Sequence, residues 1–115
     1  MNVLNSNTTT PTAQIQHEDN DTKSVRIEFN NKMNFSDVES KVSIIDNSSN
    51  SDVGFMPIWN NKTLHLVVDT DNGTVFDYNA DPLTSGTTYK VTILGTAKDS
   101  DGNVLGSDVI KYITP

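Results

Sequence analysis

Apolar and polar residues alternate along this chain in short runs, separated by clusters of Asn, Ser, Asp and Gly. A period of two marks a strand with one buried face, because successive side chains point to opposite sides of a sheet. Val25, Ile27 and Phe29 alternate with Arg26 and Glu28; Leu64, Leu66 and Val68 with His65 and Val67; Tyr89, Val91 and Ile93 with Lys90 and Thr92. Each triplet predicts the core face of one strand. Ile15 opens a short edge strand, Val42 and Ile44 start a strand that ends in the polar loop from Asp46 to Asp52, and Ile110 and Tyr112 are predicted to face inward from the last strand.

Between these runs the punctuation is equally readable. Pro57 cannot donate to a ladder and suits an edge strand or bulge, flanked by Phe55, Ile58 and Trp59. Asn60-Asn61-Lys62 is a tight polar turn that joins this segment to the Leu64 strand as a hairpin. Met33 is placed to plug one end of the core. Ser36-Asp37-Val38-Glu39 has capping-box spacing and predicts one short helical turn before Lys41. Asp69 to Pro82 reads as a long acidic connection, held down by Val75, Phe76 and Tyr78 or carrying a short strand of its own.

Leu83-Thr84-Ser85-Gly86-Thr87-Thr88-Tyr89 forms a corner before the Tyr89 strand. Gly takes a positive φ there at no steric cost, and a Tyr at this position packs its ring in the core while its hydroxyl bonds back to the backbone upstream. Turns every ten residues or so, a single short helix and one Trp near the middle predict an all-β fold, an antiparallel two-sheet sandwich of about seven strands. The core expected from these patterns is Val25, Ile27, Phe29, Ile44, Leu64, Leu66, Leu83, Tyr89, Val91, Ile93 and Tyr112.

Composition narrows the functions open to such a fold. A chain of 115 residues suffices for one domain with a sizeable core and is too short for two. Residues 1–12, rich in Asn, Ser and Thr, read as a flexible linker, and 13–115 as the sandwich. The net charge of −7 and scattered Lys and Arg leave no basic stripe for phosphates, which argues against nucleic acid and anionic membrane as partners. With no cysteine there is no disulfide, thiolate nucleophile or cysteine zinc site. No segment approaches the roughly 20 apolar residues of a membrane helix, so no membrane insertion is expected.

The order of landmarks resembles the bacterial Ig-like domain of S-layer and other cell-surface proteins. It runs Val25-Arg26-Ile27-Glu28-Phe29 into Asn30-Asn31-Lys32-Met33, then Lys62-Thr63-Leu64-His65-Leu66, the Leu83-x-x-Gly86-Thr87-Thr88-Tyr89 corner, Asp99-x-x-Gly102-Asn103, and a last strand ending Tyr112-Ile113-Thr114. Tyr112 departs from the Phe usual in that family, and the Asp69 to Pro82 connection is longer than its pattern. The resemblance implies an Ig-like, fibronectin-III-like sandwich with no chemistry of its own. It implies a spacer, display or adhesion module of a larger secreted protein, extracellular and next to other domains; the acidic charge predicts a monomer in isolation. The alternative is a module that binds cell-surface polysaccharide, another surface protein or calcium.

Candidate site residues are few. Asp99, Asp101 and Asn103 have the alternate spacing that lets oxygens converge on Ca²⁺, and Asp69, Asp71 and Asp77 form a similar cluster. An EF-hand is excluded, because Val104 and Ile110 stand where its Gly and bidentate Glu belong. The same acids equally spell a turn that caps its own backbone, and no cofactor is expected. Trp59 with Phe55, Phe76 and Tyr78 is either a sugar platform or packing. His17 and His65 fall in a loop and on an outward strand face, which argues against a shared metal. No nucleophile elbow, His-Glu-x-x-His helix or strong carboxylate pair is present, so no catalytic residue is assigned and the chain is not expected to be an enzyme. Asn7, Asn20, Asn34, Asn47, Asn61 and Asn72 each begin an Asn-x-Ser/Thr sequon, at a frequency the composition explains.

Overall fold

The structure, a computed structural model, describes residues 10–18, 21–68 and 83–115. Eight strands and one short helix follow in the order β1 Ala13–Gln16, β2 Ser24–Phe29, α1 Phe35–Glu39, β3 Val42–Asp46, β4 Ser51–Asp52, β5 Phe55–Asn60, β6 Thr63–Val68, β7 Tyr89–Ile93 and β8 Val109–Ile113. They form two four-stranded sheets, β1-β2-β6-β5 and β4-β3-β7-β8, in which every pairing is antiparallel. This is the expected sandwich, with the two-residue β4 added in what reads in sequence as loop. Pro57 lies on β5, an edge strand, where its missing N–H costs no ladder bond.

The alternating triplets meet between the sheets. Val25, Ile27 and Phe29 of β2, Leu64, Leu66 and Val68 of β6, Val42 and Ile44 of β3, and Tyr89, Val91 and Ile93 of β7 form one buried cluster with Ile15, Met33 and Leu83. Fully burying each such side chain contributes roughly 1.5–3 kcal/mol, so this interior is the main source of stability. Phe55 and Trp59 pack against it from β5.

Two details differ from expectation. On β8 the inward residues are Val109 and Ile113, and Ile110 and Tyr112 stand outside, 47% and 56% exposed. Register decides this, since Ile113 lies opposite the buried Tyr89 and Tyr112 opposite Lys90, and directly opposed residues share a face. The register is pinned upstream, where the Gly95 backbone passes so close to Ser107 that a Cβ would sit 2.7 Å from it. There Gly106 N–H donates to Gly95 O at 2.8 Å and Gly95 N–H to Asp108 Oδ1 at 2.7 Å. The helix also starts earlier than the capping-box spacing suggests. Asn34 is the N-cap and accepts from the Asp37 N–H, while Ser36 lies inside the helix with its hydroxyl bonded to Asn34 Oδ1.

The chain enters and leaves this sandwich at opposite ends. Thr12 N–H donates to Asn30 Oδ1 at 2.7 Å and Asn30 Nδ2 to Thr10 O at 3.2 Å, beside the turn that leads into Met33. At the other end Gly86 N–H donates to Pro115 O, and Leu83 N–H to Thr22 O. β1 and β8 both run from the first end to the second, one in each sheet.

Candidate functional site

The corner before β7 closes as its residues suggest. Gly86 has φ +86°, and the Tyr89 hydroxyl accepts the Thr84 N–H at 2.8 Å while the ring lies in the core. The hydroxyl thereby gives a turn N–H a partner that the reversing chain cannot supply itself.

At the opposite end Asp99 is almost completely buried, with 1% exposure. Its Oδ1 accepts the N–H groups of Asp101 at 2.9 Å and Asn103 at 2.8 Å; its Oδ2 accepts Asn31 Nδ2 at 3.1 Å and Asn103 Nδ2 at 3.2 Å. Burial raises the carboxyl pKa, but these N–H donors together outweigh it and hold the group below its ordinary value. The Met33 and Asp99 backbones form a bridge, and Ser100 N–H donates to Lys32 O, so the loop is tied to the end of the sandwich. Of the sequence-predicted calcium candidates, Asp99 thus turns Oδ1 into its own loop and shares Oδ2 between that loop and Asn31. Among the described residues no group of three or more His, Asp or Glu is placed to hold a metal ion. Asp69, Asp71 and Asp77 lie outside the described residues.

Trp59 is half-buried beside α1. Its ring stacks on Phe35 with centroids 4.2 Å apart and on Phe29 at 5.8 Å, and its indole N–H donates to Glu39 Oε2 at 2.7 Å. Lys32 Nζ sits 4.9 Å from the Phe35 ring centre. The aromatic group therefore pins α1 to β5, and its ring partners among the described residues are Phe29 and Phe35; Phe76 and Tyr78 lie outside the described residues. Asp37 completes the attachment of α1. It bonds Lys41 Nζ at 2.9 Å and the Lys98 N–H at 2.8 Å, and the Lys41 hydrogen bond lowers its pKa.

The sequence profile described as "Bacterial Ig-like domain" matches residues 3–112. The chain belongs to that family. Among solved structures, this bacterial Ig-like domain is similar to the crystal structure of the N-terminal part of the bacterial S-layer protein SbsC. The TM-score is 0.64 and the identity 16%, over 90% of this chain and 23% of the SbsC chain. At that identity the likeness concerns the fold, and this domain corresponds to under a quarter of the SbsC fragment. No curated protein matches the chain.

Within the bacterial Ig-like domain, the remaining candidates stay apart. The His17 ring bonds Asp21 O at 2.7 Å within its loop, and His65 lies on the outward face of β6 opposite Arg26 and Ile58. Of the sequon asparagines, Asn34 caps α1, Asn47 donates its N–H to Thr88 O, and Asn61 takes φ +59° in the β5–β6 turn; Asn7, Asn20 and Asn72 lie outside the described residues. Sequence reasoning passed over Asn30, Asn31 and Glu39, whose side chains tie down the entering chain, the Asp99 loop and Trp59. The Asn-Asn pair at 30 and 31 reads in sequence as a turn and nothing more.

Proposed function

We propose that this bacterial Ig-like domain is a non-catalytic spacer or display module of a larger protein at the cell surface. The observation that supports the reading best is the opposition of its ends, with β1 in one sheet and β8 in the other, both running from the Asn30 end to the Gly86 end. Neighbouring domains attached at such ends are held apart by the length of the sandwich. Tension between them crosses the β1–β2 and β7–β8 ladders at right angles to their hydrogen bonds, so these bonds share the load in shear. The side chains of Asp99, Asp37 and Asn30 are engaged in holding neighbouring backbone. The surface location draws on family membership and on the likeness to an S-layer protein.

A replacement experiment tests the reading. The domain is exchanged in its parent protein for an unrelated Ig-like sandwich of similar length whose ends also lie at opposite poles. Retained surface display and parent function are expected. Loss of function with display preserved would overturn the spacer reading in favour of a module that binds polysaccharide or calcium.

A further inference from the structure

The outer strands of the two sheets are β1 and β5 in the first and β4 and β8 in the second. An outer strand presents unpaired N–H and C=O groups, a template on which a strand of another chain can form. β1 has four residues and β4 two, which leaves little to pair with. β8 carries Lys111 at an inward position opposite Val91 yet exposed, and a charge there resists pairing. β5 is the longest of these strands and reads Phe-Met-Pro-Ile-Trp-Asn, apolar at every position but the last.

The ladder bonds decide which groups of β5 face outward. Phe29 N–H donates to Lys62 O and Val68 N–H to Lys23 O, so Leu64, Leu66 and Val68 turn their backbone groups toward β2. Thr63, His65 and Val67 therefore bond to β5, through Asn60, Ile58 and Met56. Phe55, Pro57 and Trp59 are left facing the open side, and no described residue bonds to their backbone groups. Pro57 stands in the middle of that row. It has no N–H, and its ring fills the space through which a neighbouring strand's carbonyl would approach. Beside it Ile58 is 44% exposed, an apolar group that a longer sheet would cover.

We infer that Pro57 holds this edge closed against β5 of a second copy of the chain. Two β5 strands related by a twofold axis at residue 57 would run antiparallel, with Phe55 of one opposite Trp59 of the other, and would merge two sheets into one. Residue 57 would then face its own counterpart, and proline removes both hydrogen bonds of that central pair. Restoring them tightens the pairing by roughly tenfold to hundredfold, and removing the ring also opens the way for the partner's carbonyl. The contact is isologous, so it closes at a dimer. With proline in place, copies that stand side by side remain separate sandwiches. The inference does not rest on the spacer reading.

The test compares the chain with its Pro57→Val and Pro57→Thr variants by analytical ultracentrifugation and amide hydrogen exchange, from micromolar to millimolar concentration. The wild type should stay monomeric, with the Phe55 and Trp59 amides exchanging rapidly at every concentration while those of Met56 and Ile58, bonded to β6, are protected. Both variants should remain folded when dilute and dimerise within that range, and their Phe55 and Trp59 amides should become protected as the dimer forms. Variants as monomeric as the wild type, dimers in which those two amides stay unprotected, or wild-type amides that are already protected would overturn the inference. So would loss of the fold in both variants, since Pro57 would then serve the single copy and not its edge. The replacement experiment on the spacer reading is independent of this result.

Discussion

Replacing Tyr89 by Phe removes one oxygen atom and keeps the ring that fills the core. The perturbation is therefore confined to the bond between the hydroxyl and the Thr84 N–H, 2.8 Å long. A net hydrogen bond is worth about 0.5–1.5 kcal/mol, and a buried donor left without a partner costs about 1–3 kcal/mol. Thr84 is itself exposed, so water reaches the freed N–H and the lower range applies. We expect a loss of about 1 kcal/mol, which lowers the melting temperature by roughly 4 °C in a chain of 115 residues. Urea unfolding followed by circular dichroism should show a lower midpoint at unchanged slope, because the surface exposed on unfolding hardly changes. Tyr112→Phe serves as the control, since that hydroxyl is on an exposed ring and its removal should leave the midpoint where it was. If Tyr89→Phe matches the wild type as closely as the control does, the corner does not stabilise the fold and the reasoning fails.

Gly95→Ala should destabilise by about 1–3 kcal/mol, as overpacking does, because the new Cβ would lie 2.7 Å from the Ser107 backbone; the same urea assay reads it. Asp99 binds its proton more weakly in the folded than in the unfolded chain. Its contribution is thus complete above the unfolded value of about 4 and is lost as pH falls through the folded value. Wild-type stability should decline on acidification, and Asp99→Asn should lower stability at neutral pH while flattening that decline. Asp37, held down by Lys41, and Asp46, held down by the Ser48 hydroxyl and N–H, act in the same direction, so part of the slope remains. Glu39→Ala removes the acceptor of the Trp59 indole and should cost about 1 kcal/mol, with a red-shifted tryptophan emission as the ring loosens from α1.

The strands of the interior were legible because each pairs a continuous period of two with a clear turn on both sides. Val25-Ile27-Phe29, Leu64-Leu66-Val68 and Tyr89-Val91-Ile93 all have one face apolar and a partner face that is mostly polar, so only one register buries them well. β8 lacks that contrast. In Val109-Ile110-Lys111-Tyr112-Ile113 both faces carry large apolar groups, and the decision passes to the Gly95–Ser107 approach, a contact between residues whose nearness no local pattern reveals. The capping-box spacing points to Ser36 as the cap of α1, and the observed cap is Asn34, two residues earlier, whose side chain accepts the Asp37 N–H. Asp99 was ambiguous for a chemical reason. Alternating Asp and Asn oxygens suit a cation and a self-capped loop equally well, and the choice depends on Asn31, which lies far away in sequence and adjacent in the fold. Trp59 was recognised as packing or platform, yet its partners on α1 could not be read from the residues around it.

The most direct test of the structural account is the force at which the single domain unfolds when pulled through its two ends. A load applied at the Thr12 end and the Pro115 end should meet the β1–β2 and β7–β8 ladders in shear and give one cooperative event. Its contour gain should approach the extended length of the folded residues, at roughly 3.3–3.6 Å each. The same domain pulled between two positions at one end, such as Thr12 and Lys62, should unzip at a clearly lower force. Equal forces in the two directions would contradict the claim that this sandwich is arranged to hold its neighbours apart under tension.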